Sequence, residues 1–101
     1  MENTTTNLRE RLQTKRAEIL AICARHGAHN VRLFGSVARG EHDEASDIDL
    51  LVDMEAGRTL LDLAALQQEL EALLGCRVDV VTVKGLKARI RHRVMQEAIP
   101  L

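Results

Sequence analysis

Apolar and polar positions along the chain switch between a helical and a strand-like period. Leu8, Leu12, Ile19, Leu20 and Cys23 fall on one side of a helix that starts near Asn7, with Glu10 three residues on, and ends near His26-Gly27. Asn30 to Phe34 is a short β run, and Val37 to Arg39 a single helical turn that Ser36 can cap and Gly40 can stop. Glu41 to Ser46 is polar and acidic, a loop. Asp47 to Met54 alternates as a second strand, with Ile48, Leu50 and Val52 on one face and Asp47, Asp49, Leu51 and Asp53 on the other. After a turn at 56–58, Thr59 and Asp62 form a capping-box pattern. It opens a helix whose apolar face is Leu60, Leu63, Leu66, Leu70, Leu73 and Leu74, closed by Gly75. Cys76 to Val83 is a third strand, and Gly85 to Ala98 a last helix with Leu86, Ile90 and Val94 inward.

This order predicts an α/β (α+β) fold, a small sheet of about three strands flanked by helices. The dozen-residue link between the first two strands leaves parallel and antiparallel pairing open. At 101 residues and 46% hydrophobic, the chain is read as one domain over residues 1–101.

Charge changes the picture locally. The formal net charge is only −1, yet residues 41–55 hold seven acids and no Lys or Arg, whereas residues 84–93 hold five Lys or Arg and no acid. Phe34 is the one aromatic, which argues against single-stranded nucleic acid as a partner, because base stacking needs exposed rings. The basic last helix reads as a solvated face, with an acidic partner surface or a phosphate as the functional alternative. Cys23 and Cys76 have no metal spacing and read as buried, reduced thiols. The amino terminus has no apolar signal core, and no apolar run approaches the ~18 residues of a membrane span, so the expectation is a cytoplasmic protein with no membrane partner.

The candidate chemistry lies in 33–54. Asp47 and Asp49 share a strand face about 7 Å apart, a repulsive arrangement that persists when a hard divalent cation sits between the carboxylates. The Gly35-Ser36 turn before them offers close approach, a hydroxyl and backbone N–H groups to an anion, with Arg39 beside it as a candidate phosphate contact. Asp79 is costly to bury in a valine-rich strand without a partner; it must reach the sheet rim or join the other carboxylates.

Gly35-Ser36, ten residues, then Asp47-x-Asp49 resembles the signature of the nucleotidyltransferase superfamily related to DNA polymerase beta. GSVARG followed by SDIDLLVD is similar to its minimal, single-domain branch, with the likeness running from about Asn30 through LLDLAALQQELEALLGCRVDVVT to QEAIPL. The resemblance implies a mixed sheet with antiparallel pairing. It implies that Asp47, Asp49 and Asp79 hold two Mg²⁺ and carry the catalysis, and that Gly35, Ser36 and Arg39 bind the triphosphate of ATP. It further implies that AMP is transferred to a hydroxyl, a tyrosine, of a partner HEPN-domain toxin, in a hetero-oligomer where this chain is the antitoxin. The sequence holds no Tyr of its own to accept AMP. The rival readings are an antitoxin that neutralises by binding alone and a small-molecule nucleotidyltransferase, the latter disfavoured by the lack of an acceptor-binding domain.

Overall fold

A computed structural model describes residues 8–40 and 47–101 of the chain, without the Leu8 side chain; the predicted tail, the Asn7 helix start and the acidic loop lie outside the described residues. The elements run α1 (Leu8–Thr14), α2 (Arg16–Arg25), β1 (Ala28–Phe34), α3 (Gly35–Arg39), β2 (Ile48–Met54), α4 (Leu60–Leu74), β3 (Val78–Thr82), α5 (Ala88–Glu97) and β4 (Ile99–Pro100). The predicted first helix is thus two segments meeting at Lys15. The break is slight, because the Lys15 N–H still donates to the Arg11 carbonyl at 3.0 Å and its own carbonyl accepts from the Ile19 N–H at 2.9 Å.

The sheet has four strands in the order β3-β2-β1-β4, one more than the sequence pattern predicts. The extra strand is the two-residue β4, which pairs antiparallel with β1. Two residues ending in Pro carry no periodicity, so β4 exists only because α5 stops at Ala98 and delivers the chain to the free edge of β1. There the Leu101 N–H donates to the Val31 carbonyl at 3.1 Å, and Arg16 Nε donates to the Leu101 carbonyl at 2.8 Å. β1 and β2 are antiparallel, placing Phe34 opposite Asp49, and β2 and β3 are parallel, placing Asp79 beside Asp49. The parallel pair follows from the long α4 crossover that joins its strands.

β2 is central and buried on both faces. Ile48, Leu50 and Val52 meet Leu12, Ile19, Ile22 and Cys23 from α1 and α2 and Leu66, Leu70 and Leu74 from α4. On the opposite face Leu51 packs with Leu86 and Val94. The alternation read from the sequence therefore holds, with one correction in α4. Leu60 is 81% exposed, because the first turn of that helix projects past the sheet. The outer edge of β3 is covered by α4 side chains: Glu71 accepts from the Val78 N–H at 3.1 Å and Gln67 from the Val80 N–H at 3.2 Å.

Both ends of α4 behave as predicted. Thr59 and Asp62 form the reciprocal capping box, and Gly75 closes the helix in the left-handed conformation. Thr59→Ala should cost about 1 kcal/mol in urea unfolding without affecting the sheet, since only the helix start loses an acceptor.

Among the described residues, no helix is long and apolar enough to cross a membrane. Cys23 is buried, and burial pushes its thiol up to about 11, the state of an inert core cysteine. Cys76 is only partly buried, short of the predicted burial, because it precedes β3.

Candidate active site

β1 ends at Phe34, and the backbone turns at once through Gly35, whose φ is +76°. A side chain is excluded at this position on two grounds. The left-handed conformation strains any L residue, and a Cβ on Gly35 would overlap the Asp49 carboxylate, whose Cγ would lie 3.1 Å away. The turn and the first acid of β2 are therefore in direct contact. Ser36 was predicted to cap the following turn. Instead α3 begins two residues earlier, with Phe34 in the cap position and no side-chain cap bond, so Ser36 lies inside the helix. Its hydroxyl has no hydrogen-bond partner among the described residues.

The parallel register puts Asp49 and Asp79 side by side on neighbouring strands, about 4.8 Å apart in the pairing direction and with side chains on the same face. Both are partly buried. Neither has a hydrogen bond or ion pair among the described residues. Asp53, on the same face of β2, shows the contrast: its carboxylate accepts from Asn30 Nδ2 at 3.0 Å and pairs with Arg32 at 3.2 Å. The fold thus supplies partners to one acid of β2 and withholds them from another.

The consequence is a shifted titration. Burial first, then repulsion from Asp79 and Asp47, pushes the Asp49 carboxyl up to about 6, against a smaller pull downward from the Arg39 guanidinium. Asp47 sits just ahead of β2, rather than opening it as predicted, and lies 4.0 Å from the exposed Arg77. Among the described residues, no group of three His, Cys, Asp or Glu side chains stands close enough to hold a metal ion. The arrangement is thus a close Asp49–Asp79 pair with Asp47 at its margin.

Arg39 closes α3 within electrostatic reach of Asp49, and Gly40 ends the helix at φ +74°. Arg39 Nη1 donates to Glu97 Oε1 at 3.0 Å, and the same oxygen accepts from the Gly35 N–H at 3.3 Å. Glu97 has no place in the motif read from the sequence. Its signal is that it is the one acid between Lys84 and Leu101, three residues after Val94 on the inward row of α5.

This spatial order, a glycine turn pressed against one of two unpartnered carboxylates on adjacent strands, is what the comparisons with known proteins can be set beside. The nucleotidyltransferase domain model matches residues 16–101. The chain belongs to the nucleotidyltransferase domain family. It is a nucleotidyltransferase with the minimal form of that fold. A chain from Methanocaldococcus jannaschii that carries the name protein adenylyltransferase is 43% identical over 82 residues, covering 81% of this chain and 88% of that one. The protein adenylyltransferase MntA of Thermococcus cleftensis is 45% identical over 75 residues, covering 74% and 76%. A solved minimal nucleotidyltransferase structure superposes with a TM-score of 0.85 at 56% identity, over 98% of this chain and all of that one. A toxin–antitoxin crystal structure with AMP-PNP superposes at 0.72 and 22% identity, covering 83% of this chain and 69% of that one, a likeness of fold.

Proposed function

We propose that this nucleotidyltransferase transfers AMP from ATP to a hydroxyl of a partner protein, a tyrosine of a HEPN-domain toxin, and thereby acts as its antitoxin. The observation that carries this reading is the Asp49–Asp79 pair, held side by side by the parallel register without a hydrogen bond or ion pair among the described residues. The residues fit Mg²⁺: the donors are all carboxylate oxygens, and the pKa of Asp49 is raised by burial first and then by repulsion from Asp79 and Asp47, a repulsion that a divalent cation relieves. Asp49 and Asp79 would hold the metal together with Asp47. When bound, Mg²⁺ supplies charge neutralisation at the triphosphate and a lowered pKa for the acceptor hydroxyl.

The chain's own groups then divide the work. Asp79, at the rim of the pair, takes the proton of the attacking hydroxyl. The Ser36 hydroxyl donates to a phosphate oxygen, and the Arg39 guanidinium faces the charge that builds up as the pyrophosphate leaves. Gly35 contributes by lacking a side chain, which leaves the approach to Asp49 open. One bond to the α-phosphorus forms as another breaks, giving a phosphodiester on the acceptor and free pyrophosphate.

A protein acceptor and a toxin partner are supported by the names of the relatives, and the tyrosine and the HEPN domain rest on the resemblance of the motif alone. The first relatives are protein adenylyltransferases by name, the AMP-PNP structure is of a toxin–antitoxin pair, and the 101 residues contain no Tyr. Purified protein mixed with the product of the adjacent gene, Mg²⁺ and α-labelled ATP should place label on the partner, with loss of label in Asp47→Ala and Asp49→Ala. Complete neutralisation of the partner with no label transferred would instead establish the binding-only reading.

A further inference from the structure

Helix α5 is basic along its exposed positions, yet the one acid it carries is turned toward α3. Glu97 is the less exposed member of its ion pair, 21% against 43% for Arg39. A single oxygen, Oε1, receives both the Gly35 N–H and the Arg39 guanidinium, the first and last residues of α3. Five residues cannot hold a helix by themselves, so the orientation of α3 is set by what it touches. It is anchored in the core by the fully buried Val37, and its two ends touch β2 through the Gly35–Asp49 contact and α5 through Glu97.

The charge arrangement gives this contact a kinetic role. Arg39 lies within electrostatic reach of Asp49, and Asp49 and Asp79 have no hydrogen bond or ion pair among the described residues. A guanidinium that lost the Glu97 contact would be freer to approach those carboxylates, where it would offset the charge that a metal–nucleotide complex needs. Glu97 offers Arg39 a competing carboxylate.

We propose that Glu97 is a positioning residue for nucleotidyl transfer: through one carboxylate oxygen it holds the Gly35 turn and keeps Arg39 off the Asp49–Asp79 pair. This rests on the reading of that pair as the reaction site. The C-terminal segment is thereby tied to the chemistry, since the residue after α5 leads directly into β4.

The test is steady-state labelling of the partner, varying Mg-ATP, with Asp49→Ala as the control and melting curves on every variant. Glu97→Ala should lower kcat by about 10²-fold, the scale of a misplaced group in a preorganised site, and raise KM for Mg-ATP. Glu97→Gln keeps an oxygen for both donors and should stay within about tenfold of wild type, whereas Glu97→Leu, of similar bulk but without an acceptor, should be as poor as alanine. In an Arg39→Ala background, Glu97→Ala should add clearly less than the product of the two single losses, because part of its effect runs through Arg39 and only the Gly35 contact remains to be lost. If Glu97→Ala proves too unstable to assay, Glu97→Leu, which keeps the bulk but has no acceptor oxygen, measured with and without Arg39→Ala gives the coupling. Multiplicative losses, a glutamine variant as poor as alanine, or wild-type kinetics in Glu97→Ala would overturn the role of Glu97 while a dead Asp49→Ala leaves the site standing. An active Asp49→Ala would overturn both.

Discussion

Asp49→Asn should abolish transfer while making the protein harder to unfold. The catalytic loss is expected at about 10³-fold or more, because a neutral amide neither holds a divalent cation as a carboxylate does nor balances charge at the triphosphate. The stability gain follows from linkage. The Asp49 carboxyl ionises at about 6 in the fold, against an ordinary value of 3.8, so the folded state binds the proton more tightly than the unfolded chain does. The sign is opposite to that of a salt-bridged aspartate. The contribution of this group to stability is most favourable below 3.8 and is lost as the pH rises from 3.8 through 6. Above that, the ionised carboxylate is a standing cost beside Asp79 and Asp47. Discounted for solvent screening at a half-buried position, that cost is about 1 kcal/mol. Asn removes it, so the variant should melt about 4–8 °C higher than wild type at pH 7.5 and no higher at pH 3.5. Calorimetry at the two pH values, each without Mg²⁺, checks this. A variant less stable at both would mean that Asp49 is held by partners after all.

Gly35→Ala should be the most damaging small substitution in the chain. The new methyl group would have to occupy space taken by the Asp49 carboxylate, at a residue whose φ of +76° already disfavours any side chain. The left-handed conformation alone costs about 1–2 kcal/mol for an L residue. The overlap adds to this or is relieved by swinging Asp49 away from Asp79. Either response removes activity: about 10²-fold or more is expected from displacement of a reacting group by an ångström. A comparison with Gly57→Ala separates strain from overlap. Gly57 has φ +89°, yet a Cβ there meets nothing within 4 Å, so that variant should lose stability of similar size and keep its kinetics. Equal activity in the two variants would show that the Gly35–Asp49 contact does not matter to the reaction.

The two acids of β2 illustrate how far the chain could be read without coordinates. Their alternation with Ile48, Leu50 and Val52 is a strict period of two, and a period of two fixes which residues share a face whatever the strand pairs with. The faces of β2 and the capping box of α4 were therefore legible, since each depends on neighbours within a few positions. Ser36 was misread as a cap because a helix start depends on the backbone path through Gly35, which the contact with Asp49 imposes. Leu60 was misread as core because its periodicity fits and only the length of the sheet shows that nothing lies beneath it. β4 has no pattern to read, being a tail that lies along whichever edge is open.

Local chemistry, then, was decided by the sequence: a glycine that must turn, a serine after it, two acids on one strand face and a third in a valine-rich strand, with the family those spacings denote. What the tertiary structure alone decided was register. Only the pairing of β2 with β3 sets Asp79 beside Asp49 rather than one residue off and on the opposite face, and only the packing of α5 on α3 brings Glu97, 62 residues along the chain, to the Gly35 N–H. Register and helix docking are sums over many contacts distant in sequence. No short window contains them, and the partnerless state of a carboxylate is a property of everything that surrounds it.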